Sequence, residues 1–142
     1  MITQLIDIIE TLIPQYAANP EDSFANGNVA VCIIDQQGRI YGKIWGNNKI
    51  TGRNFFRNAW IKASQAWITG IKTGEFEKLL FNGLIKEEDF GIQAPDLIGW
   101  EGGLPVKLID NTEIYVGFSG FRGFNDVKII EDAVSILKKN HS

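Results

Sequence analysis

The chain is short of the residues from which many sites are built. Its 142 residues include one cysteine, one histidine and one methionine. The single Cys32 cannot form an internal disulfide, and its place in the apolar run "VAVCIID" suits a buried thiol packing as a small hydrophobe in a reducing, cytoplasmic setting. One Cys and one His cannot supply the three or four nitrogen and sulfur ligands of a structural zinc site. The only histidine, His141, is penultimate, which leaves Ser119 in "GFSGF" without a base for a Ser-His-acid triad. No apolar run approaches the length of a membrane span, and the opening "MITQLIDIIETLI" carries Asp7 and Glu10 with no Lys or Arg before Arg39, unlike a secretion signal. A net charge of -3 and a pI near 5.1 argue against a dedicated nucleic-acid binder, which needs an excess of Lys and Arg.

Charge is also missing locally, and here the absence is informative. The first 35 residues hold five acids and no base, whereas residues 36–74 hold seven bases and not one acid. Within that basic stretch Arg53, Arg57, Trp60, Ser64 and Trp67 step by four, three, four and three, placing guanidinium and indole groups on one helix face. Such a face can stack a planar anionic ligand or meet an acidic patch on a second subunit. Phe56, Ala59, Ala63 and Ala66 form the stripe expected to be buried.

The length and a 44% hydrophobic composition fit one globular domain spanning residues 1–142. Ile2, Leu5, Ile6, Ile9, Leu12 and Ile13 predict an amphipathic first helix ending near Pro14. "VAVCIID" and "RIYGKIWG" flank a short turn and read as a hairpin. A long helix follows, with Thr51 as its N-cap and Gly70 past its end, then a shorter one around "EFEKLLFN" capped by Thr73 and ended by Gly83. "LPVKLID" and "EIYVGFSG" form a second hairpin, and a last helix is expected from about Asn125 to Lys139. Strands in adjacent pairs, not alternating with helices, predict an α+β fold with helices on an antiparallel sheet.

Two glycine-rich stretches stand out. In "YVGFSGFRGFND" the glycines fall three apart, without the spacing of a dinucleotide or P-loop fingerprint, so packing and turn geometry are the expected role. Asp126, in the first turn of the last helix, reads as a cap, and an enzymatic use of Ser119 and Asp126 lacks a proton-transfer partner. In "GWEGGLPVKL", Gly102 and Gly103 permit a turn into an edge strand stiffened by Pro105, and Trp100 is placed to close a pocket.

Taken in order, "VAVCIIDQQGRIYG", "KASQAW", "GGLPVKL" and "YVGFSGFRGFND" resemble the GlcG/HbpS-like family of small haem-binding proteins, to which the carboxy-terminal domain of PduO-type cobalamin adenosyltransferases also belongs. The resemblance runs from about Asn28 to Leu137 and implies a profilin-like architecture, a central antiparallel sheet with helices on it, assembled into homo-oligomers. It further implies binding of haem or another tetrapyrrole, and the leading reading is a non-enzymatic binding protein. In that family a histidine of the first helix usually ligates the iron; residues 1–16 contain none here, and Tyr16 is the nearest oxygen donor. The expected site therefore comprises Tyr16, stacking Trp60 and Trp67, carboxylate-pairing Arg53 and Arg57, and a wall of Gly102, Gly103 and Pro105. A structural assembly module that has lost its ligand is the alternative.

Overall fold

Four strands make one antiparallel sheet in the order β2-β1-β4-β3, from β1 (Val29–Asp35), β2 (Ile40–Trp45), β3 (Gly103–Lys107) and β4 (Glu113–Ser119). The computed structural model describes residues 1–141. Each hairpin pairs neighbours in sequence, and β1 joins β4 at the centre, so β2 and β3 are edges. Pro105, with no N–H to give to a ladder, sits on the β3 edge. The α+β, profilin-like layout expected from the sequence is the one observed.

The two faces of the sheet are built differently. Beneath α1 (Ile2–Ala17) and α4 (Gly123–Asn140), Val29, Val31, Ile33, Val116 and Phe118 meet Leu5, Ile9, Leu12, Ile129, Ile130 and Leu137 in a continuous apolar core. Each such side chain, fully buried, contributes about 1.5–3 kcal/mol. On the opposite face, register aligns Gly42, Cys32, Gly117 and Gly103 in one row across all four strands. Over this row lies α2 (Lys49–Thr69), presenting Ala59, Ala63 and Ala66. The approach is close: a Cβ on Gly117 would stand 2.0 Å from the Ala59 carbonyl oxygen, and one on Gly103 2.6 Å from that of Lys62. The glycine is thus a packing requirement, as the sequence suggested. Burial in this layer pushes the Cys32 thiol up to about 12, which keeps it unreactive.

Three boundaries differ from expectation. Helix α1 runs through Pro14 to Ala17, because the buried Leu12, Ile13 and Tyr16 hold the last turn on the core despite the missing N–H. The cap of α2 is Asn48, whose Oδ1 accepts the Thr51 N–H at 3.0 Å, so Thr51 is inside the helix. Thr73 begins α3 (Thr73–Phe81) without capping it; its hydroxyl is used elsewhere, as described below. Gly70, with φ of 70°, ends α2 as predicted.

Candidate functional site

The sequence-predicted residues do not converge. Tyr16 lies under α4 on the apolar side of the sheet, its ring 5.9 Å from and stacked on Phe121, its hydroxyl donating to Asp132. Burial first, then Asp132, pushes this phenol far above its ordinary range. A phenolate there is disfavoured, and the ring is on the wrong side of the sheet to join the other candidates, so Tyr16 is corrected from iron ligand to core residue.

Arg53, Arg57, Trp60 and Trp67 do share one exposed face of α2, with Trp60 41% and Trp67 42% exposed. That face turns toward the β2 edge. The Trp67 ring lies 3.7 Å from where a Gly38 Cβ would stand, and Ile44 crowds Gly52. The exposed Ile40 and Ile44 of β2 border the same surface.

Two cavities lie on the other flank of α2, toward β3. A cleft of about 770 Å³ is bounded by Lys72 just before α3, Glu75, Glu77 and Lys78 of α3, the segment Gly99–Leu104, and Gly123, Val127 and Glu131 of α4. Gly102 and Gly103, predicted as pocket wall, are here; Pro105 is not among its lining residues. Adjoining it is a smaller pocket of about 230 Å³ that shares Trp100, Glu101 and Gly123 with the cleft and is also lined by Lys62, Ser119 and Asp126. Trp100, 65% exposed, lines both.

Buried polar side chains hold this wall in place. Gln65 of α2 grips Ile98, donating to its carbonyl at 2.8 Å and accepting its N–H at 2.7 Å. The Thr73 hydroxyl donates to the Trp100 carbonyl at 2.6 Å and accepts the Gly103 N–H at 3.1 Å. Glu101 lies against Gly74 and Gly123, at the amino-terminal ends of α3 and α4, where two helix dipoles favour its charge. Asp22, from the 3₁₀ segment Pro20–Ala25, accepts the Arg122 N–H at 2.7 Å and the Asn125 amide at 2.6 Å, fixing the start of α4.

The innermost feature was missed in the sequence. Lys62 and Asp126 form an ion pair at 3.2 Å with both side chains 3% exposed. The ammonium also donates to the Phe118 carbonyl at 2.9 Å, and Asp126 accepts the Phe121 N–H at 2.9 Å. Asp126 is therefore corrected from helix cap to buried ion-pair partner. Burial pushes Lys62 down and pushes Asp126 up to about 7, against the pull of Lys62 and the Phe121 N–H. Gly102, with φ of +121°, is required beside this pair, since a Cβ would stand 2.8 Å from the Lys62 Nζ and 2.7 Å from the Phe118 oxygen. The signal was available: Ala59, Lys62 and Ala66 step by three and four, putting the lysine on the edge of the buried stripe.

The sequence matches no family model and no curated protein. Solved structures do match. HbpS aligns over 96% of this chain and 89% of its own, with a TM-score of 0.66 at 17% identity. The Klebsiella pneumoniae protein ORFY, described as DUF336, aligns over 94% and 88%, with 0.68 at 17%. The chain has the fold of the GlcG/HbpS-like proteins. A complex of PduOC with haem shares this HbpS-like fold, covering 92% of this chain and 90% of its own with a TM-score of 0.66 at 16% identity.

Haem iron normally takes an axial His, Cys, Met or Tyr, and none of these residue types lines either cavity. His141 is remote, its Nε2 3.2 Å from Gln4 on α1. The residues present do not fit axial ligation, and no helix among the described residues is long and apolar enough to cross a membrane.

Proposed function

We propose that this is a non-enzymatic binding protein that takes a flat, tetrapyrrole-sized ligand in the cleft beside Trp100, holding the ring and its acid arms without a bond from the chain to iron. The carrying observation is the cleft: its 770 Å³ falls in the range of about 300–1,000 Å³ typical of small-molecule and cofactor sites. Haem in a protein of the same fold supports the ligand class. Trp100 supplies stacking area, while Lys72 and Lys78 at the α3 wall supply partners for carboxylates. Glu75, Glu77, Glu101 and Glu131 oppose a doubly anionic guest, so binding of such a guest should strengthen as salt rises.

The test is a paired titration with hemin and metal-free protoporphyrin IX, read by the Soret band and by tryptophan fluorescence. Saturation at one equivalent per chain by both, with similar affinity and with loss in Trp100→Ala, is the expected result. Binding of hemin alone would show that iron is ligated and would refute this reading.

A second role, assembly into a homo-oligomer, is favoured by the surface of Ile40, Ile44, Trp60 and Trp67 at the β2 edge. Isolated apolar side chains are ordinary on a surface, but two half-exposed indoles beside two exposed isoleucines make a patch suited to a partner copy, with Arg53 and Arg57 as its charged rim. Trp60→Asp should lower the mass seen by size-exclusion chromatography with multi-angle scattering; an unchanged mass in Trp60→Asp and in Ile44→Asp removes this role. A cytoplasmic location suits the unpaired, buried Cys32.

A further inference from the structure

We infer that the inner pocket is a binding site for a small aromatic carboxylic acid, with the acid group on Lys62 and Ser119 and the ring among Phe24, Phe55, Phe121 and Trp100. This does not rest on the tetrapyrrole reading of the outer cleft. The pocket, about 230 Å³, has room for on the order of seven or eight waters, too little for a macrocycle and enough for a substituted benzoate. Those four aromatic residues line the pocket together with Asn58, Lys62, Glu101, Ser119 and Asp126. That composition, aromatic faces with a few polar side chains, suits an aromatic acid.

The donors select the acid over its neutral relatives. Lys62 uses two of its three N–H groups on the Phe118 carbonyl and on Asp126, so one remains for a guest. The Ser119 hydroxyl and the Asn58 amide add further donors on the pocket wall. A carboxylate accepts all of them, and a hydrogen bond to a charged group is stronger than one to a neutral group. The ion pair already balances its own charge, so a bound carboxylate adds an uncompensated negative charge. Protonation of Asp126 relieves it: the reaction takes up one proton from solvent onto Asp126 and breaks no bond. The charged groups acting on Asp126 are Lys62 from α2, which lowers the demand for that proton, and Asp22 from the 3₁₀ segment, which raises it; Glu101, from the segment before β3, lines the same pocket and acts on Lys62.

The experiment is titration of the full chain with benzoate, benzamide and benzyl alcohol, followed by calorimetry and by amide NMR. Benzoate should bind at one site, at least tenfold more tightly than either neutral analogue, with shifts centred on residues 118–126 and with affinity falling as pH rises through about 7. Ser119→Ala, which leaves the ion pair intact, should weaken benzoate about tenfold while leaving protoporphyrin binding at the outer cleft unchanged. Equal binding of benzoate and benzamide, or an undiminished affinity in Ser119→Ala, would overturn the assignment. So would no saturation at millimolar benzoate in a protein that still binds protoporphyrin, which separates this failure from failure of the cleft.

Discussion

The two faces of the central sheet solve different problems. Under α1 and α4 the strands present large branched and aromatic side chains to an apolar core, and the polar ties there, such as Tyr16 to Asp132 and Glu10 to Lys43 and Trp45, sit toward its margins. Under α2 the strands present glycine and cysteine, the helix comes down close, and a lysine and an aspartate are buried side by side. The first face stabilises; the second gives up apolar burial in order to hold polar groups at the bottom of a cavity. Removing water from an ion pair costs several kcal/mol per ion, and its attraction seldom returns more than that, so such a pair is weak as a source of stability and well placed as a site.

This contrast can be broken most forcefully at the ion pair. Lys62→Met leaves Asp126 buried without its partner and should cost about 3–5 kcal/mol in chemical denaturation, whereas Lys62→Met with Asp126→Leu should recover most of the loss. A double variant no more stable than the single one would mean that the pair is a structural necessity. Next is Gly117→Ala, whose methyl would enter the Ala59 carbonyl and must lift α2, at a cost on the order of 3 kcal/mol. By comparison Ile129→Val, a deletion of one methylene on the apolar face, should cost about 0.5–1.5 kcal/mol and leave ligand binding as it was.

Titration sharpens the same comparison. Asp126 is raised to about 7 in the folded chain, above its ordinary value of 3.8. Its acid form is therefore favoured by folding, and the stability this brings is complete below about pH 4 and is lost as pH rises through about 7. Lys62, lowered by burial, acts in the opposite sense, losing its penalty only as it deprotonates at higher pH. Between pH 5.5 and 8 wild type should lose stability, and the Lys62→Met, Asp126→Leu double variant should lose measurably less. Comparable with Ile129→Val should be Tyr16→Phe, about 1 kcal/mol for the bond to Asp132, with no change in porphyrin affinity.

The apolar face was legible in the sequence because its signal is periodic: Leu5, Ile9 and Leu12 on α1 and Ile130 and Leu137 on α4 recur at helical spacing, although Val127 and Val134 of the same spacing are only half-buried. The hairpins were legible from their turns, and the edge position of β3 from Pro105. Of the polar face only the place of Lys62 at the edge of the buried stripe was legible, and its pairing was not, for a physical reason. A lysine reads as solvated surface unless its partner is known, and the partner of Lys62 lies 64 residues away. The same limit applies to Arg53, Arg57, Trp60 and Trp67, whose shared face the spacing found but whose side of α2 it did not; tertiary packing alone turns them toward β2 and turns Lys62 toward β3.

Amide hydrogen exchange with and without protoporphyrin IX tests most directly whether the ligand belongs to the α2–α3 side of the sheet. Protection gathered at residues 72–78, 99–104 and 123–131, with α1 and residues 53–67 unchanged, is the expected result. Protection gathered instead on α1, or on the arginine and tryptophan face of α2, would contradict it.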